Sequence, residues 1–373
     1  MGRKVLMIVS NEFNPDVRVD KEARALVEQG YEVTVLAWDR YRRKLGKESL
    51  GGYNVVRLRT GQIDRKWLLP FGLPLFFLSS LRFALHRRPD IIHCHDLDTL
   101  PQGNLAAKVM RIPLVYDAHE HYAAMIEQDL PRGLARLADG QEFRCLKTTT
   151  LVIAANESIA SYLAPHSKTK PVVVMNVVDP GPPTSPPPAR ADGKVVLLYA
   201  GVLEPLRYIE ELIQAVAGRT DVVLKIAGSG SLQDKVEGTA KSTSNVVYLG
   251  RISPAEVRKE MIGADAIVAL LDPTNENNRI GTPNRLFEAM AAGRPALVSK
   301  GTLSARIVNE EGCGIALDWS VEEFGRTVAA LSDRASVGRM GQKGREAAER
   351  MYNWVTMKGR LIEAYSDLPA RPQ

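Results

Sequence analysis

Short runs of Val, Ile, Leu and Ala alternate along this chain with segments whose apolar residues recur at helical spacing. Unbroken runs are typical of strands buried on both faces, and the segments between them are typical of helices that cover such strands. The runs predict strands at residues 4–10, 32–38, 54–59, 91–95, 114–117, 151–155 and 172–175, and then at 195–200, 222–227, 246–249, 266–271 and 296–299. This alternation predicts α/β architecture, with two doubly wound, Rossmann-like domains built on parallel sheets.

A proline-rich segment separates the two sets of strands. Six of the nine residues from Pro180 to Pro188 are proline, and neither a helix interior nor a central strand tolerates that density, because proline lacks an N–H and has a fixed φ. We therefore predict domains over residues 1–179 and 194–353, joined by a linker over 180–193 and facing a cleft. The last helical pattern, about residues 354–373, follows the final predicted strand, and we expect it to cross back onto the first domain.

Polar residues lie at the ends of two strands of the first half, where doubly wound domains bind their ligands. His95 and Asp96 lie at the end of the strand over 91–95, and His119 lies just beyond the next strand. His93 and His95 should share one face of their strand, which superficially resembles a metal site. Local spacing supplies no third ligand, so we expect these residues to line a cleft and we expect no metal.

The segment before the last predicted strand contains a basic residue where helices favour an acidic one. Thr282 can cap and Pro283 can open a helix over about 284–292. Arg285 then lies in the first turn, against the helix dipole, and this placement indicates an anionic ligand such as a diphosphate. Glu288 follows one turn later, where its carboxylate could accept both hydroxyls of a ribose. A surface Arg–Glu pair is the alternative interpretation of the same spacing.

Composition narrows the class of protein. The 373 residues are 45% apolar and 25% charged, as in an ordinary soluble enzyme. The three cysteines are widely spaced, which argues against a disulfide framework and fits a reducing cytoplasm. The net charge of +6 permits an anionic ligand but does not indicate nucleic acid. The sequence contains no Walker A motif, which excludes a P-loop ATPase.

An apolar stretch at residues 67–81, flanked by arginines, raises the question of a membrane contact. It contains prolines and is too short to span about 30 Å of hydrocarbon. A core-facing segment that leads into a helix is the favoured interpretation. The alternative is an interfacial patch that, with the basic loop at residues 40–47, touches anionic lipid. We expect a cytoplasmic protein, with a peripheral contact on the inner face of the membrane as this alternative.

Several motifs together resemble one enzyme family. They are Val5-Leu-Met-Ile-Val-Ser-Asn-Glu-Phe13, His93-Cys-His-Asp96, Tyr116-Asp-Ala-His-Glu120, Tyr199-Ala-Gly201, Gly228-Ser-Gly230 and, most specifically, Phe287-Glu-Ala-Met-Ala-Ala-Gly-Arg-Pro295. Nearly the whole chain resembles the retaining, nucleotide-sugar-dependent glycosyltransferases of the GT-B fold, in family four. The resemblance implies transfer of a sugar from a nucleotide diphosphate donor to a hydroxyl acceptor (a glycan, a lipid-linked molecule or a small molecule), with retained anomeric configuration and without a metal.

The resemblance also implies roles for the two domains and for particular residues. The second domain would bind the donor, and the first would bind the acceptor. The implied donor-binding residues are Gly201, Arg207, Gly228, Asn284, Arg285 and Glu288, with Arg207 and Arg285 on the diphosphate and Glu288 on the ribose. The candidate catalytic residues are His119, near the reacting sugar, with Arg207 and Arg285. The candidates on the acceptor side are Asp16, Arg18, His95 and Asp96.

The chain departs from the family pattern at two places near the donor. Ile280 stands eight residues before Glu288, where the family usually has a second glutamate, and Val202 replaces a basic residue that often follows the first glycine of the second domain. These departures bear on which sugar is transferred more than on whether the protein transfers one. Two other classes remain open as well: a nucleotide-sugar epimerase or hydrolase of the same fold, and a non-catalytic protein that binds sugar nucleotides.

Overall fold

A computed structural model describes residues 2–14, 16–41, 44–60, 69–127, 132–183, 192–318 and 320–370. The chain forms two compact units, one of Met1–Asn176 with Met357–Gln373 and the other of Val177–Thr356. Both are α/β units built on parallel sheets, which confirms the predicted fold class. Residues 184–191 of the predicted linker lie outside the described residues, but its first residue packs on the second unit. There the carbonyl of Pro180 accepts hydrogen bonds from Arg258 (2.7 Å) and Arg345 (2.9 Å).

The first unit contains an eight-stranded sheet with the order β3-β4-β2-β1-β5-β6-β7-β8. Its strands are β1 (Lys4–Ile8), β2 (Glu32–Trp38), β3 (Lys47–Leu50), β4 (Tyr53–Leu58), β5 (Ile91–His95), β6 (Leu114–Ala118), β7 (Leu151–Ala154) and β8 (Val172–Val173). Its helices are α1 (Val17–Glu28), α2 (Leu69–Arg87), α3 (Leu100–Met110), α4 (Tyr122–Ile126), α5 (Arg132–Leu146) and α6 (Glu157–Leu163). The central strands β5 and β6 are buried along their whole lengths, and this includes their polar residues His93, His95 and Asp117.

Strand β3 begins at Lys47, the last residue of the segment that the sequence indicated as a basic loop. It pairs antiparallel with β4 at the edge of the sheet. Gly51 and Gly52 form the turn between the two strands, with φ of 53° and 89°, a region that glycine enters without strain. A four-residue edge strand that is partly exposed carries too little apolar pattern to be predicted.

The second unit contains a six-stranded parallel sheet with the order β11-β10-β9-β12-β13-β14. Its strands are β9 (Val195–Ala200), β10 (Val222–Ala227), β11 (Val246–Gly250), β12 (Ala266–Val268), β13 (Ala296–Ser299) and β14 (Gly314–Leu317). Its helices are α7 (Ile209–Val216), α8 (Gln233–Ser242), α9 (Pro254–Gly263), α10 (Glu276–Ile280), α11 (Asn284–Ala291), α12 (Leu303–Glu311), α13 (Val321–Leu331) and α14 (Arg334–Arg350). The sequence did not indicate β14, which begins with a glycine because a Cβ there would overlap the backbone of Ala296.

The last helix, α15 (Trp354–Ser366), begins where Asp179 accepts the N–H groups of Trp354 (2.9 Å) and Val355 (3.3 Å). From Met357 onward its residues belong to the first unit. There the Tyr365 hydroxyl lies 2.7 Å from Nδ1 of His93, on β5. The last helix therefore reaches the central strand on which the predicted site residues of the first unit lie.

Helix α2 contains much of the apolar stretch that raised the question of a membrane contact. Residues 67 and 68 of that stretch lie outside the described residues. Within the described ranges no helix combines the length and the apolar character needed to cross a bilayer.

Candidate active site

The carboxyl ends of β5 and β6 bring three predicted or neighbouring polar side chains into contact. Nδ1 of His95 lies 3.1 Å from Nε2 of His119 and 3.2 Å from Oδ2 of Asp117. The same carboxylate oxygen lies 2.9 Å from Nε2 of His119. Asp96 completes the group, because its Oδ1 accepts the backbone N–H of His119 (3.1 Å) and its Oδ2 lies 3.3 Å from Nδ1 of the ring.

Arg18, on helix α1, also contacts this group. The guanidinium donates to both carboxylate oxygens of Asp117, at 2.8 and 2.5 Å, and to the carbonyl of Val174 at 2.6 Å. Its side chain is 6% exposed. Arg18 was predicted to contact the acceptor, but the structure places it in the interior of the unit. Asp16, the other candidate in this segment, caps α1 by accepting the N–H groups of Arg18 and Val19.

Charge in this cluster is concentrated on Arg18, Asp117 and His119. Burial opposes ionisation of Asp117, but the charges of Arg18 and His119 hold its pKa well below its usual range. Burial also opposes protonation of His119, yet Asp96 and Asp117 raise its pKa to about 10. Burial lowers the pKa of His95. At neutral pH the cluster therefore contains a neutral His95 beside a charged His119.

A set of potential metal ligands lies within this cluster, and the sequence spacing did not reveal it because Glu22 comes from α1. Ligand atoms of Glu22, His93, His95 and Asp117 lie within 4.8 Å of one another. However, Arg18 already places a cation beside two of them, 3.3 Å from Oε1 of Glu22 and in contact with Asp117. The rings of His93 and His95 stack at 4.3 Å with an angle of 24°, and nearly parallel rings do not direct their lone pairs at one point. The four residues are therefore better described as a buried polar network whose negative charge Arg18 balances than as a site for a divalent ion.

In the second unit, three of the predicted donor-binding residues, Gly201, Gly228 and Arg285, lie together beyond the carboxyl end of β9. The guanidinium carbon of Arg285 lies 4.6 Å from the centroid of the Tyr199 ring. A Cβ at Gly201 would overlap this guanidinium, so the close approach requires glycine. Nε of Arg285 is buried and has no hydrogen-bond partner among the described residues. Burial lowers the pKa of Arg285, and the nearby charge of Arg207 adds to that effect.

Gly228 allows two loops of this site to touch backbone to backbone. It has φ of 137°, and a Cβ there would overlap the carbonyl of Gly201. Its own N–H donates to the carbonyl of Gly250 at 2.8 Å. This turn therefore joins the loops that follow β9 and β10, which favours a packing role over a phosphate-binding loop that uses this N–H.

Arg207 lies in a strained loop. The residues on either side of it, Leu206 and Tyr208, both have positive φ, at 65° and 60°. The loop is held by Asp272, whose N–H donates to the carbonyl of Leu206 at 2.9 Å. Asn278 lies on the same carbonyl, with Nδ2 at 3.5 Å. Non-glycine residues in this region of φ are costly and cluster at functional sites. The sequence indicated Asn278 as a candidate to replace the missing glutamate at Ile280, but it gave no signal for Asp272.

Helix α11 begins at Asn284, as predicted, but its cap differs from the predicted one. Pro283 occupies the N-cap position and no side chain caps the helix, so the predicted cap by Thr282 is wrong. Arg285 lies in the first turn, as predicted, and Glu288 is half-buried one turn later, whereas Asn284 is exposed. Arg294, from the end of the same motif, is buried, and its guanidinium binds the carbonyls of Ile262 and Gly293.

Comparisons with known proteins match both halves of the chain. The model of Glycosyltransferase Family 4 matches residues 16–181, and that of Glycosyl transferases group 1 matches residues 184–347. A curated relative, the succinoglycan biosynthesis protein ExoL of Rhizobium meliloti, is 24% identical over 87% of this chain and 83% of its own length.

Two solved structures share the fold over nearly the whole chain. Sucrose-phosphate synthase from Thermosynechococcus elongatus has a TM-score of 0.82 at 17% identity, covering 98% of both chains. HepE from Anabaena, solved in complex with UDP-glucose, has a TM-score of 0.70 at 15% identity, covering 98% of this chain and 100% of that one.

The fold is therefore that of the GT-B glycosyltransferases. The chain is a glycosyltransferase, whose first half matches the model of Glycosyltransferase Family 4 and whose second half, with the motif from Phe287 to Pro295, matches that of Glycosyl transferases group 1.

Proposed function

We propose that this protein transfers a sugar from a nucleotide diphosphate to a hydroxyl acceptor with retention of anomeric configuration. The observation that carries the proposal is the buried guanidinium of Arg285, which lies over the Tyr199 ring and against Gly201 at the end of β9, with Arg207 near enough to lower its pKa. Two adjacent positive charges are unfavourable in an empty site and favourable beside a diphosphate. Glu288, one turn beyond Arg285, is assigned to the ribose hydroxyls.

The arginines act on the charge that the leaving diphosphate develops. As the bond between the sugar and the diphosphate breaks, negative charge grows on the diphosphate oxygens, and fixed guanidinium groups stabilise it. Neither arginine is a nucleophile, and Glu288 is assigned to the ribose. We therefore infer attack by the acceptor oxygen on the face that the diphosphate leaves, with the departing diphosphate oxygen taking the proton of the acceptor hydroxyl.

No metal is required in this proposal, because the two guanidinium groups supply the positive charge that a divalent ion would otherwise bring. Initial rates should therefore be the same in excess EDTA as in added magnesium or manganese. A rate that falls with EDTA and returns with one metal would contradict this part of the proposal.

The stereochemical claim is tested by proton NMR of the first product formed. UDP-glucose is the first donor to try, because HepE binds it, followed by GDP- and dTDP-sugars with simple hydroxyl acceptors. We expect an anomeric coupling constant that matches the configuration of the donor. An inverted product would contradict retention, and stoichiometric loss of donor without acceptor would favour the hydrolase or epimerase.

A peripheral contact with anionic membrane is a second part of the proposal, and α2 supports it. Leu75 and Leu78 on this helix are 51% and 60% exposed. Exposed basic side chains, including Arg82 and Arg87, follow them toward the end of the same helix. Exposed leucines beside cations are typical of helices that lie in the interface of a bilayer.

Vesicle sedimentation tests this contact. At low salt the protein should pellet with vesicles that contain phosphatidylglycerol and not with pure phosphatidylcholine, because anionic lipid attracts the basic side chains. The variant Leu75→Asp/Leu78→Asp should remain in the supernatant. Leu137→Asp is the matched control, since Leu137 is 69% exposed on α5. Equal pelleting of the double variant and the wild type would contradict the assignment.

A further inference from the structure

A cavity of about 710 Å³ opens at the amino ends of β1, β2 and β4 in the first unit. Its volume is typical of sites for small molecules. Phe83 and Arg87, from the last turns of α2, line it together with the first residues of these strands. The cluster around His119 lies at the carboxyl ends of β5 and β6, so the cavity lies at the opposite end of the same sheet.

The sheet face at this cavity is polar, whereas the other face of the same strands is apolar. Four polar side chains share the cavity face because they pair in register on adjacent parallel strands: Lys4, Glu32, Thr34 and Asn54. The residues that alternate with them on the other face are buried valines: Val5, Val33 and Val55. A parallel sheet covered by helices is normally apolar on both faces. Polar residues on three adjacent strands therefore indicate a part of the sheet face that is kept open to solvent.

Apolar side chains also line the cavity. Leu6 and Val56 are the next residues on the same face of β1 and β4, and both are buried. The ring of Phe83 joins them from α2. Polar groups around an apolar lining are the usual composition of a site that binds a polar molecule with a carbon framework.

Positive charge predominates among the lining side chains. The cations are Lys4, Lys47 and Arg87. The carboxylates are Glu32 and Glu48, and Glu48 is paired with the buried guanidinium of Arg57. Glu32 is therefore left to balance three cations, and neither lysine forms an ion pair with a residue that the structure describes. This balance favours an anionic ligand.

Two of the cations lie at the same end of the cavity. The N–H of Asp90 donates to the carbonyl of Lys4, and Oδ2 of Asp90 accepts the N–H of Lys4, both at 2.8 Å. Arg87 lies three residues before Asp90, with its guanidinium carbon 5.4 Å from the centroid of the Phe83 ring. The helix dipole also explains a cation in the last turn of α2, but it does not account for Lys4. Together the two cations suit a phosphate group.

We propose that this cavity binds a polyol that carries a phosphate group. Lys4 and Arg87 bind the phosphate. The apolar lining packs on the carbon framework, and the polar side chains of the strand face bind the hydroxyls: Glu32, Thr34 and Asn54. A soluble sugar phosphate and the glycerophosphate headgroup of a lipid share this chemistry. The proposal does not rest on sugar transfer, because neither the predicted donor-binding residues nor the cluster around His119 lines the cavity.

Calorimetric titration with glucose 6-phosphate and with glycerol 3-phosphate tests the site, with glucose and glycerol as the probes that lack phosphate. The titrations use Arg285→Ala, so that phosphate bound at the proposed donor site does not contribute. We expect at least one of the two phosphates to bind at one site per chain. Lys4→Gln/Arg87→Gln in this background should weaken it about tenfold or more, because charge-assisted contacts are lost.

Two further variants separate the cavity from general effects of charge. Lys108→Gln is the matched control, because Lys108 is an exposed cation in the last turn of another helix, α3, and does not line the cavity. It should bind as tightly as its parent. Asn54→Trp fills the cavity without removing a charge, and it should abolish binding. Asn54 is exposed on β4, where an aromatic residue is favoured, so this variant should fold.

Vesicle sedimentation of the wild-type protein distinguishes the two sources of phosphate. If the ligand is a lipid headgroup, excess glycerol 3-phosphate should release the protein from phosphatidylglycerol vesicles, and Asn54→Trp should pellet less than wild type. If the ligand is soluble, neither change should alter pelleting.

The titrations decide whether the site exists. The proposal predicts saturable binding that needs the phosphate, the two cations and the open cavity. It would be overturned if neither phosphate bound, if glucose or glycerol bound as tightly as its phosphate, or if Asn54→Trp and Lys4→Gln/Arg87→Gln bound as tightly as Lys108→Gln.

Discussion

Replacing Arg207 by alanine should lower the rate of sugar transfer about 10²- to 10³-fold, the loss that follows removal of one group that stabilises transition-state charge. The fall should be larger in kcat than in the KM for the donor, because the diphosphate carries more charge in the transition state than in the bound donor. Initial rates at saturating and limiting donor give the two values separately. The strained backbone on both sides of Arg207 sets the position of its Cα before donor binds.

Arg219→Ala is the matched control for this prediction. Arg219 belongs to the same unit, but it is paired with Asp221 at the surface, where its loss should change neither kcat nor KM. Arg285→Ala should resemble Arg207→Ala, and the double variant should lose less than the product of the two losses, because both groups act on one diphosphate. If Arg207→Ala transferred sugar as fast as Arg219→Ala, the assignment of the diphosphate to this arginine would be wrong.

Gly228→Ala should destabilise the second unit and abolish donor binding. The new methyl group would overlap the Gly201 carbonyl, and overpacking of this kind costs about 1–3 kcal/mol. The φ of 137° adds about 1–3 kcal/mol for a residue with a side chain. Because the carbonyl belongs to the loop that touches Arg285, relief of the overlap would displace the loop that holds the diphosphate site. Urea denaturation and calorimetric titration with donor measure the two effects.

Alanine substitutions at two other glycines of the same unit distinguish the cost of the steric overlap from the cost of the positive φ. Gly218 has φ of 74° and open space around the position of a Cβ, so Gly218→Ala should show only the cost of the backbone. Gly238 lies inside α8 with open space and an ordinary φ, and Gly238→Ala should stabilise the unit by about 1 kcal/mol. If Gly228→Ala destabilised the unit no more than Gly218→Ala, the close contact between the loops would contribute nothing to its stability.

The strands that the sequence predicted well are the ones buried in the middle of each sheet. Strands β5, β9 and β10 match their predicted bounds residue for residue, because a parallel strand covered on both faces is largely apolar. Strands β3 and β14 were missed. Both are four-residue edge strands, and most of their residues are not fully buried. The other edge strands, β8 and β11, were found because each contains a run of Val residues, which β3 and β14 lack.

The residues of the candidate site also fall into those that the sequence could predict and those that it could not. The sequence located His119 and Arg285, because each follows a strand or opens a helix where ligands bind. It did not predict that Arg18 pairs with Asp117, since 99 residues separate them, and so it assigned Arg18 to the acceptor. Whether an ion pair is buried depends on which helix packs on which strand, and the spacing of residues in the sequence does not contain that information.

The central claim is that the residues around β9 form a site for a nucleoside diphosphate, and calorimetric titration of the wild-type protein tests it most directly. UDP, GDP and dTDP are each titrated beside the nucleoside that lacks phosphates. The account predicts that at least one diphosphate binds at one site per chain, and that Arg285→Ala weakens it by about tenfold or more. It would be contradicted if the nucleoside bound as tightly as its diphosphate, or if Arg285→Ala bound as tightly as wild type.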